Sequence, residues 1–370
     1  MIPIALPSAG FFILLSAGFF AGLLLLGWVV VLAASAGARR TVRKYWKTSA
    51  VLCLALAAPF SFYAWFQAMM WQVGREVDRR EAARKVTLQQ PTMVGGVNMP
   101  AGTRLTLQDE GLLDTYIEAT FPQPVPILGV QATSARRYLN TEYDKTTYET
   151  LGRHPRTVIL RGVGEQTVQG WHCDATQDIE FDVAPDGAMK MFTQCVLGAG
   201  NQVQGMNIEH GSVLRGSGGT VYTDGSRDTD RWRIEVNDDK AVRAFGLFLS
   251  RPGIYLDEAR KLVRISDAEL ACPTQFGGLA YAAGTHFKTA RRRTDGENEA
   301  YPGILVFSPW NGDAATRAGF EDVPEGMSVL QTLQGEVLDI VKNEAAGVFH
   351  FDTFIVDGKE PERPARARCP

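Results

Sequence analysis

The sequence predicts a membrane-anchored, mainly β protein. Two N-terminal transmembrane helices are followed by an elongated repeat β-sheet or β-solenoid-like domain. Three observations predict this. Two long uncharged runs open the chain, the loop between them is purely basic, and a glycine-turn motif recurs through the rest.

After a short tail (1–10), Phe11 to Ala34 carries no charge. At about 1.5 Å per residue it crosses a hydrocarbon core of about 30 Å with room to tilt. It is too long for the apolar stretch of a signal peptide, and no basic segment precedes it. The second run is Ala50 to Val73. Its Pro59, Ser61, Gln67 and Gln72 are tolerable in a membrane helix that has a helical neighbour. Trp28, Trp46, Trp65 and Trp71 suit the interface. The spacing of Gly18 and Gly22 matches the small-residue motif through which membrane helices approach closely, which offers helix–helix self-association.

The loop 35–49 holds Arg39, Arg40, Arg43, Lys44 and Lys47 and no acid. By the positive-inside rule it lies in the cytoplasm. In a bacterial inner membrane the soluble domain is then periplasmic. A charged stalk helix (74–85) holds Arg75, Arg79, Arg80, Arg84 and Lys85, an equal count that leaves the cytoplasmic alternative open. The loop is preferred because it is shorter and no acid dilutes its charge.

The whole chain carries −3. Residues 1–73 contain five basic and no acidic side chains, so the remainder carries −8, 33 basic against 41 acidic. Phosphate contacts need clustered Lys and Arg, so no nucleic-acid partner is expected.

From 86 to 290 one pattern recurs: an apolar residue, any residue, Gly, an apolar residue, then Gly-Thr or Gly-Ser and an apolar strand. Val94-Gly95-Gly96-Val97 leads to Gly102-Thr103, Val203-Gln204-Gly205-Met206 to Gly211-Ser212, and Phe276-Gly277-Gly278-Leu279 to Gly284-Thr285. Ile127-Leu128-Gly129-Val130 and Val168-Gln169-Gly170-Trp171 are decayed copies, and Phe245-Gly246-Leu247 fits approximately. Six residues before the opening apolar position stand Leu88, Phe121, Leu197 and Leu270, and two before those Val86, Ala119, Cys195 and Ala268. That is strand alternation. A third apolar position, ahead of those strands, is held by Leu113, Met189 and Leu262. One unit of 33–41 residues thus holds about three short strands, too little to bury its own apolar face, so units must share a core. These hairpins resemble bacterial β-repeat proteins of the MORN-like kind. The resemblance covers about 200 residues and implies a binding platform that brings no catalytic residues with it.

A C-terminal β-rich segment (291–356) is expected, with strands at 304–307 and 348–356 and strand or helix at 328–341. The tail 357–370 is rich in Pro and Arg and is expected to be disordered.

Candidate chemistry is sparse. His154, His172, His210, His286 and His350 stand alone, with no metal spacing. Cys173, beside His172, occupies the inward repeat position held elsewhere by Met99, Ala132, Ile208 and Tyr281, and so reads as a buried apolar residue. Cys173 and Cys195 lie on adjacent elements and form a possible disulfide in an oxidising compartment. The acidic turn from Asp224 to Asp230 lacks the order of a Ca²⁺ loop, and Arg291-Arg292-Arg293 reads as a solvated loop. No cofactor, metal ligand or catalytic residue is assigned. The expected function is a membrane-tethered protein-binding module of the bacterial envelope, one form being an immunity protein against a toxic effector. The alternatives are a structural or assembly subunit of an envelope complex and, third, an envelope-polymer hydrolase.

Overall fold

The computed structural model describes residues 9–219, 221, 225, 227, 229–237, 240–290, 293–294, 297–298, 303–310, 313–319, 321–348 and 367–370. It divides into two units, 1–84 and 85–370.

The first unit is helical: α1 (Ala9–Ala34), α2 (Ala36–Lys44) and α3 (Trp46–Ala83). α1 and α3 are each long and apolar enough to cross a membrane. Gly18 and Gly22 bring them together. A Cβ on Gly18 would lie 2.6 Å from both the Pro59 carbonyl oxygen and the Tyr63 Cβ, and one on Gly22 would lie 2.6 Å from the Phe60 ring. The small-residue face offered for self-association is therefore occupied by α3 of the same chain. Pro59 removes one helical N–H inside α3, and Ser61 Oγ, two residues on, donates to the carbonyls of Ala57 and Ala58.

The basic segment expected as a loop is largely helix. Ser35 Oγ caps α2 by accepting from the Ala38 amide, and the Ala, Arg and Lys that follow are good helix formers. The second apolar run and the stalk are one continuous helix. Gly74 interrupts nothing, and Glu76 and Arg80 pair one turn apart in the charged part.

The second unit is mostly β. Its main sheet has eleven antiparallel strands in chain order: β1 (Lys85–Thr87), β2 (Arg104–Leu107), β3 (Tyr116–Ile127), β4 (Val130–Tyr143), β5 (Thr150–Gly162), β6 (Ile179–Val183), β7 (Met189–Val196), β8 (Val213–Gly216), β9 (Trp232–Glu235), β10 (Gly253–Leu256) and β11 (Leu262–Ser266). Short hairpins are inserted between neighbouring strands: 92–99 between β1 and β2, 165–174 between β5 and β6, 202–207 between β7 and β8, and 242–250 between β9 and β10.

At Asp267, whose φ is +52°, the chain leaves β11 and enters a second, seven-stranded sheet. That sheet holds the 242–250 hairpin, β12 (Ala268–Leu270), β13 (His286–Ala290), β14 (Ile304–Ser308), β15 (Met327–Gln331) and β16 (Val337–Lys342), with hairpin 274–281 inserted between β12 and β13. Among the described residues every ladder is antiparallel, and the strands form two open sheets and short hairpins, with no solenoid coil. No boundary falls at 290, because β13 pairs directly with β14. Residues 328–341 fall in two strands, β15 and β16, joined by a turn at 332–336, and of the strand expected at 348–356 all but Val348 lies outside the described residues. Of the three positions that begin a unit, Met189 and Leu262 open strands, whereas Leu113 opens a 3₁₀ turn.

The recurring glycines make the hairpins. At all six copies, the decayed ones included, the two turn residues are both left-handed. φ is 46 to 57° at the first and 76 to 84° at the second. Two-residue turns of this hand match the twist of the flanking strands, and Gly takes the second position at little cost. The Gly-Thr element closes the unit. Thr103 Oγ1 donates to the Pro100 carbonyl, the Gly102 amide to the Leu88 carbonyl, and the Leu88 amide to the Thr103 carbonyl. Ser212 with Leu197, and Thr285 with Leu270, repeat the same set.

The units therefore do not stack as separate blocks. The hairpins lie over one face of a shared sheet and supply the other half of its core. One row of the sheet, Val86, Leu105, Ala119, Ala135, Leu160 and Ile179, continues as Cys195, Leu214, Ile234, Ile254 and Ile265. All but the partly buried Val86 are buried, and against them pack Val94, Met99, Val168, Trp171, Val203 and Ile208 from the hairpins. Trp171 meets Trp232 edge-on at 5.9 Å, and Trp232 meets Phe192 at 5.7 Å.

Two disulfides add covalent ties. Cys173–Cys195 joins hairpin 165–174 to β7, so the buried Cys173 is bonded to the sheet and is not simply a small apolar residue. Cys272–Cys369 was not foreseen. The end of the tail, expected to be disordered, is docked. Ala367 is buried, its amide donates to Ser250 Oγ, and Arg368 bridges to Lys240. Residues 357–366 lie outside the described residues.

Two stability measurements follow, both by urea unfolding of the full chain in detergent micelles, read by tryptophan fluorescence. At Gly277, φ is +57° and a Cβ would lie 1.7 Å from the Gly335 carbonyl oxygen, whereas Gly278 faces open space. Gly277→Ala is expected to cost on the order of 3 kcal/mol and Gly278→Ala about 1 kcal/mol. Equal losses would refute the close approach. Replacing both Cys272 and Cys369 by Ala is expected to cost about 1 kcal/mol more than replacing Cys173 and Cys195, because the sequence separations are 97 and 22. The reverse order would place local packing above chain entropy.

Candidate interaction surface

Strand alternation sends every second side chain to the opposite face. On the face away from the hairpins, one register line crosses all eleven strands: Lys85, Thr106, Glu118, Arg136, Ile159, Glu180, Gln194, Arg215, Arg233, Tyr255 and Arg264. Nine of the eleven are polar or charged, and Lys85, Glu118, Arg136 and Arg215 are exposed. It lies one residue out of step with the buried apolar row.

The line is organised by charge. Near β4 to β6, Asp178 takes Arg136 at 3.3 Å and Arg161 at 2.5 Å. Those three side chains and Glu118 line a shallow groove of about 200 Å³. Asp178, Glu180 and Asp182 share this face, with Asp182 accepting from Thr157 Oγ1. Partial burial pushes the Glu180 carboxyl above its ordinary range, and the negative charges of Asp182 and Asp178 push the same way. Near β8 to β11 arginines dominate. Arg215 donates to Gln194 Oε1, Arg215 and Arg233 both pair with Glu235, and Tyr255 lies between Arg233 and Arg264, whose guanidinium carbons stand 5.5 and 3.4 Å from its ring centre.

β4 and β5 run past this sheet as an arm. β3 last pairs with β4 at Arg136, and β6 last pairs with β5 at Thr157. From Leu139↔Pro155 to Tyr143↔Thr150 the two strands pair only with each other. At the base, the chain turning into β3 is pinned by Arg137. Its guanidinium donates to the carbonyls of Asp114 and Tyr116 and sits 3.3 Å from the Tyr116 ring centre. Burial lowers the pKa of Arg137, with the nearby Tyr116 and Asp114 opposing that shift. Arg153 pairs with Asp109 at 2.7 Å, and a notch of about 420 Å³ opens beside them. At the tip the Asp144 carboxylate accepts from the amides of Thr146 and Thr147, which hold its pKa below the ordinary value.

The sequence-level candidates are scattered. Arg39, Arg40, Arg43 and Lys44 lie on α2, and Lys47 in the first turn of α3. His154 is in the arm, His172 on hairpin 165–174, and His350 outside the described residues. Of the acidic turn, residues 224, 226 and 228 lie outside the described residues, and Asp230 is buried and accepts from Ser217 Oγ. Arg291 and Arg292 also lie outside. No group of three potential metal ligands occurs among the described residues. The polar register line and the arm were missed, although strict alternation opposite a recognised apolar row is a readable signal for the first. No family model, curated protein or solved structure matches the chain.

Because the folded-state pKa of Glu180 is raised, ionising it disfavours folding as pH climbs from the ordinary carboxylate range through the raised value. Glu180→Gln is therefore expected to raise the melting temperature at pH 7 and to leave it unchanged at pH 3. A variant that melts lower at pH 7 would show Glu180 to be a net stabilising partner of the arginines.

Proposed function

We propose that the protein is a membrane-tethered binding module whose soluble domain holds a protein partner. The observation that carries this reading is the register line of polar side chains, exposed or half-exposed along most of its length, which crosses all eleven strands. Arginine, which recurs along it at Arg136, Arg215, Arg233 and Arg264, is a residue type enriched where proteins recognise one another. The reading keeps the likeness to MORN-like β-repeats, whose hairpins imply a platform and whose extended course would be solenoid-like. α1 and α3 provide the tether, in a bacterial inner membrane. Two disulfides in the β domain support an oxidising, periplasmic location for it. An immunity protein that holds a toxic effector at the membrane is the most concrete form, and loss of protection against a neighbouring toxin on deleting the gene is its specific test.

Crosslinking in the native membrane, followed by affinity purification of the full chain, tests the general reading. A single stoichiometric soluble partner is expected, with recovery reduced about tenfold or more by paired Arg136→Glu and Arg215→Glu changes that leave the melting temperature in place. Several membrane partners, or only copies of the chain itself, would instead assign a structural role.

A further inference from the structure

The arm tells more about the partner, given the binding reading above. Its tip, residues 142–151, presents Tyr143, Tyr148 and Leu151, which are 56, 79 and 63 % exposed. Among them stand Glu142, Asp144 and Glu149 against a single Lys145, a net charge of −2.

The tip is built, not loose. Besides the two amide bonds to the Asp144 carboxylate, the Tyr148 amide donates to the Asp144 carbonyl and the Asp144 amide to the Glu149 carbonyl. Tyr148 itself is held at φ +57°, where Gly or Asn would be easier. A bulky aromatic in that conformation, exposed at the tip of the arm, is an expense that folding alone does not explain. A fixed tip also loses little freedom when a partner closes on it.

We propose that this tip docks a cationic protein surface, one that lays Arg or Lys side chains on the rings of Tyr143 and Tyr148 and against the carboxylates of Glu142 and Glu149. Aromatic faces attract such cations, and the attraction grows as water is excluded. Charge complementarity sets the sign. The tip carries −2 and residues 74–370 carry −8, so a basic partner is steered towards it. The same charges repel the anionic headgroups that would otherwise suit exposed tyrosines at a bilayer surface.

The test uses the full chain in neutral-detergent micelles and a fluorescent octapeptide of alternating Arg and Leu, with a Glu and Leu octapeptide as control. Anisotropy is expected to show binding of the Arg peptide alone, weakened as salt rises. The affinity should fall about tenfold or more in a Tyr143→Ala, Tyr148→Ala variant and in a Glu142→Lys, Glu149→Lys variant. Met93→Ala, on hairpin 92–99, should leave it unchanged. Nitration of Tyr143 and Tyr148 in the unaltered chain, slowed by the Arg peptide, gives a readout that needs no variant. No binding, equal binding of the two peptides, or binding indifferent to the tip changes would each overturn the proposal. A partner captured from the membrane whose recovery ignores the tip variants would sink this assignment while leaving the binding reading intact. Capture of no partner would sink the binding reading itself.

Discussion

An antiparallel sheet of eleven strands buries nothing until one of its faces is covered, and the β domain depends on how that cover is supplied. No helix does it in the described residues. The chain leaves the sheet after a strand, makes a hairpin of a few residues over the inner face, and returns to pair with the strand it left. Such a hairpin is marginal alone. It holds because its inward side chains, Met99, Val168, Trp171 and Val203 among them, are buried against the sheet. Its reach is too short for a long turn, so both turn residues must be left-handed. That one requirement explains why the glycines recur, and why Leu128, Gln169, Gln204 and Phe245 accept positive φ beside them. Some of these residues are used: Gln204 Oε1 accepts from the Leu262 amide, and the Gln169 backbone carbonyl accepts from Arg260, which also stacks on Trp171.

Covering one face leaves the other to water. Strand alternation then dictates what stands there, and the two faces are best understood as one pattern displaced by a residue. Leu105 is buried and Thr106 is not; Leu214 is buried and Arg215 is exposed; Ile234 is buried and Arg233 is half-exposed. The outer residues hold one another by ion pairs and ring stacking at the surface, where each pair contributes little stability. Their arrangement matters more for recognition than for folding, because long polar side chains fixed in register form a surface of defined charge.

Much of this was legible. The uncharged runs gave the helices. The spacing of apolar, glycine and Gly-Thr positions gave the hairpins, including copies that had lost part of the motif, because turn geometry constrains few positions and tolerates change at the rest. The pairing of Cys173 with Cys195 was legible as an option, since both fall at repeat positions on adjacent elements. What could not be read depends on distance in space. Cys272 and Cys369 are 97 residues apart, and a segment rich in Pro and Arg gives no hint that Ala367 is buried against Ser250. The α2 helix was obscured because its basic residues read first as a topology signal. The direction in which hairpins fold, onto a shared sheet instead of onto one another, is set by long-range pairing that local periodicity does not contain.

The arm shows the same element put to the opposite use. Hairpin 165–174 and the β4–β5 extension are both two-stranded, and what separates them is composition. Val168, Trp171 and Cys173 give the first a face with reason to return to the sheet. Tyr138, Asn140, Glu142, Gly152 and His154 give the second none, so it projects. Yet a strand pair that projects for lack of apolar residues would be expected to end in small polar ones, and this arm ends in Tyr143, Tyr148 and Leu151 on a hydrogen-bonded turn. Exposed aromatic side chains on an ordered support contribute no burial to the isolated chain. They gain it only when another surface closes over them, and that places the reason for the arm outside the fold.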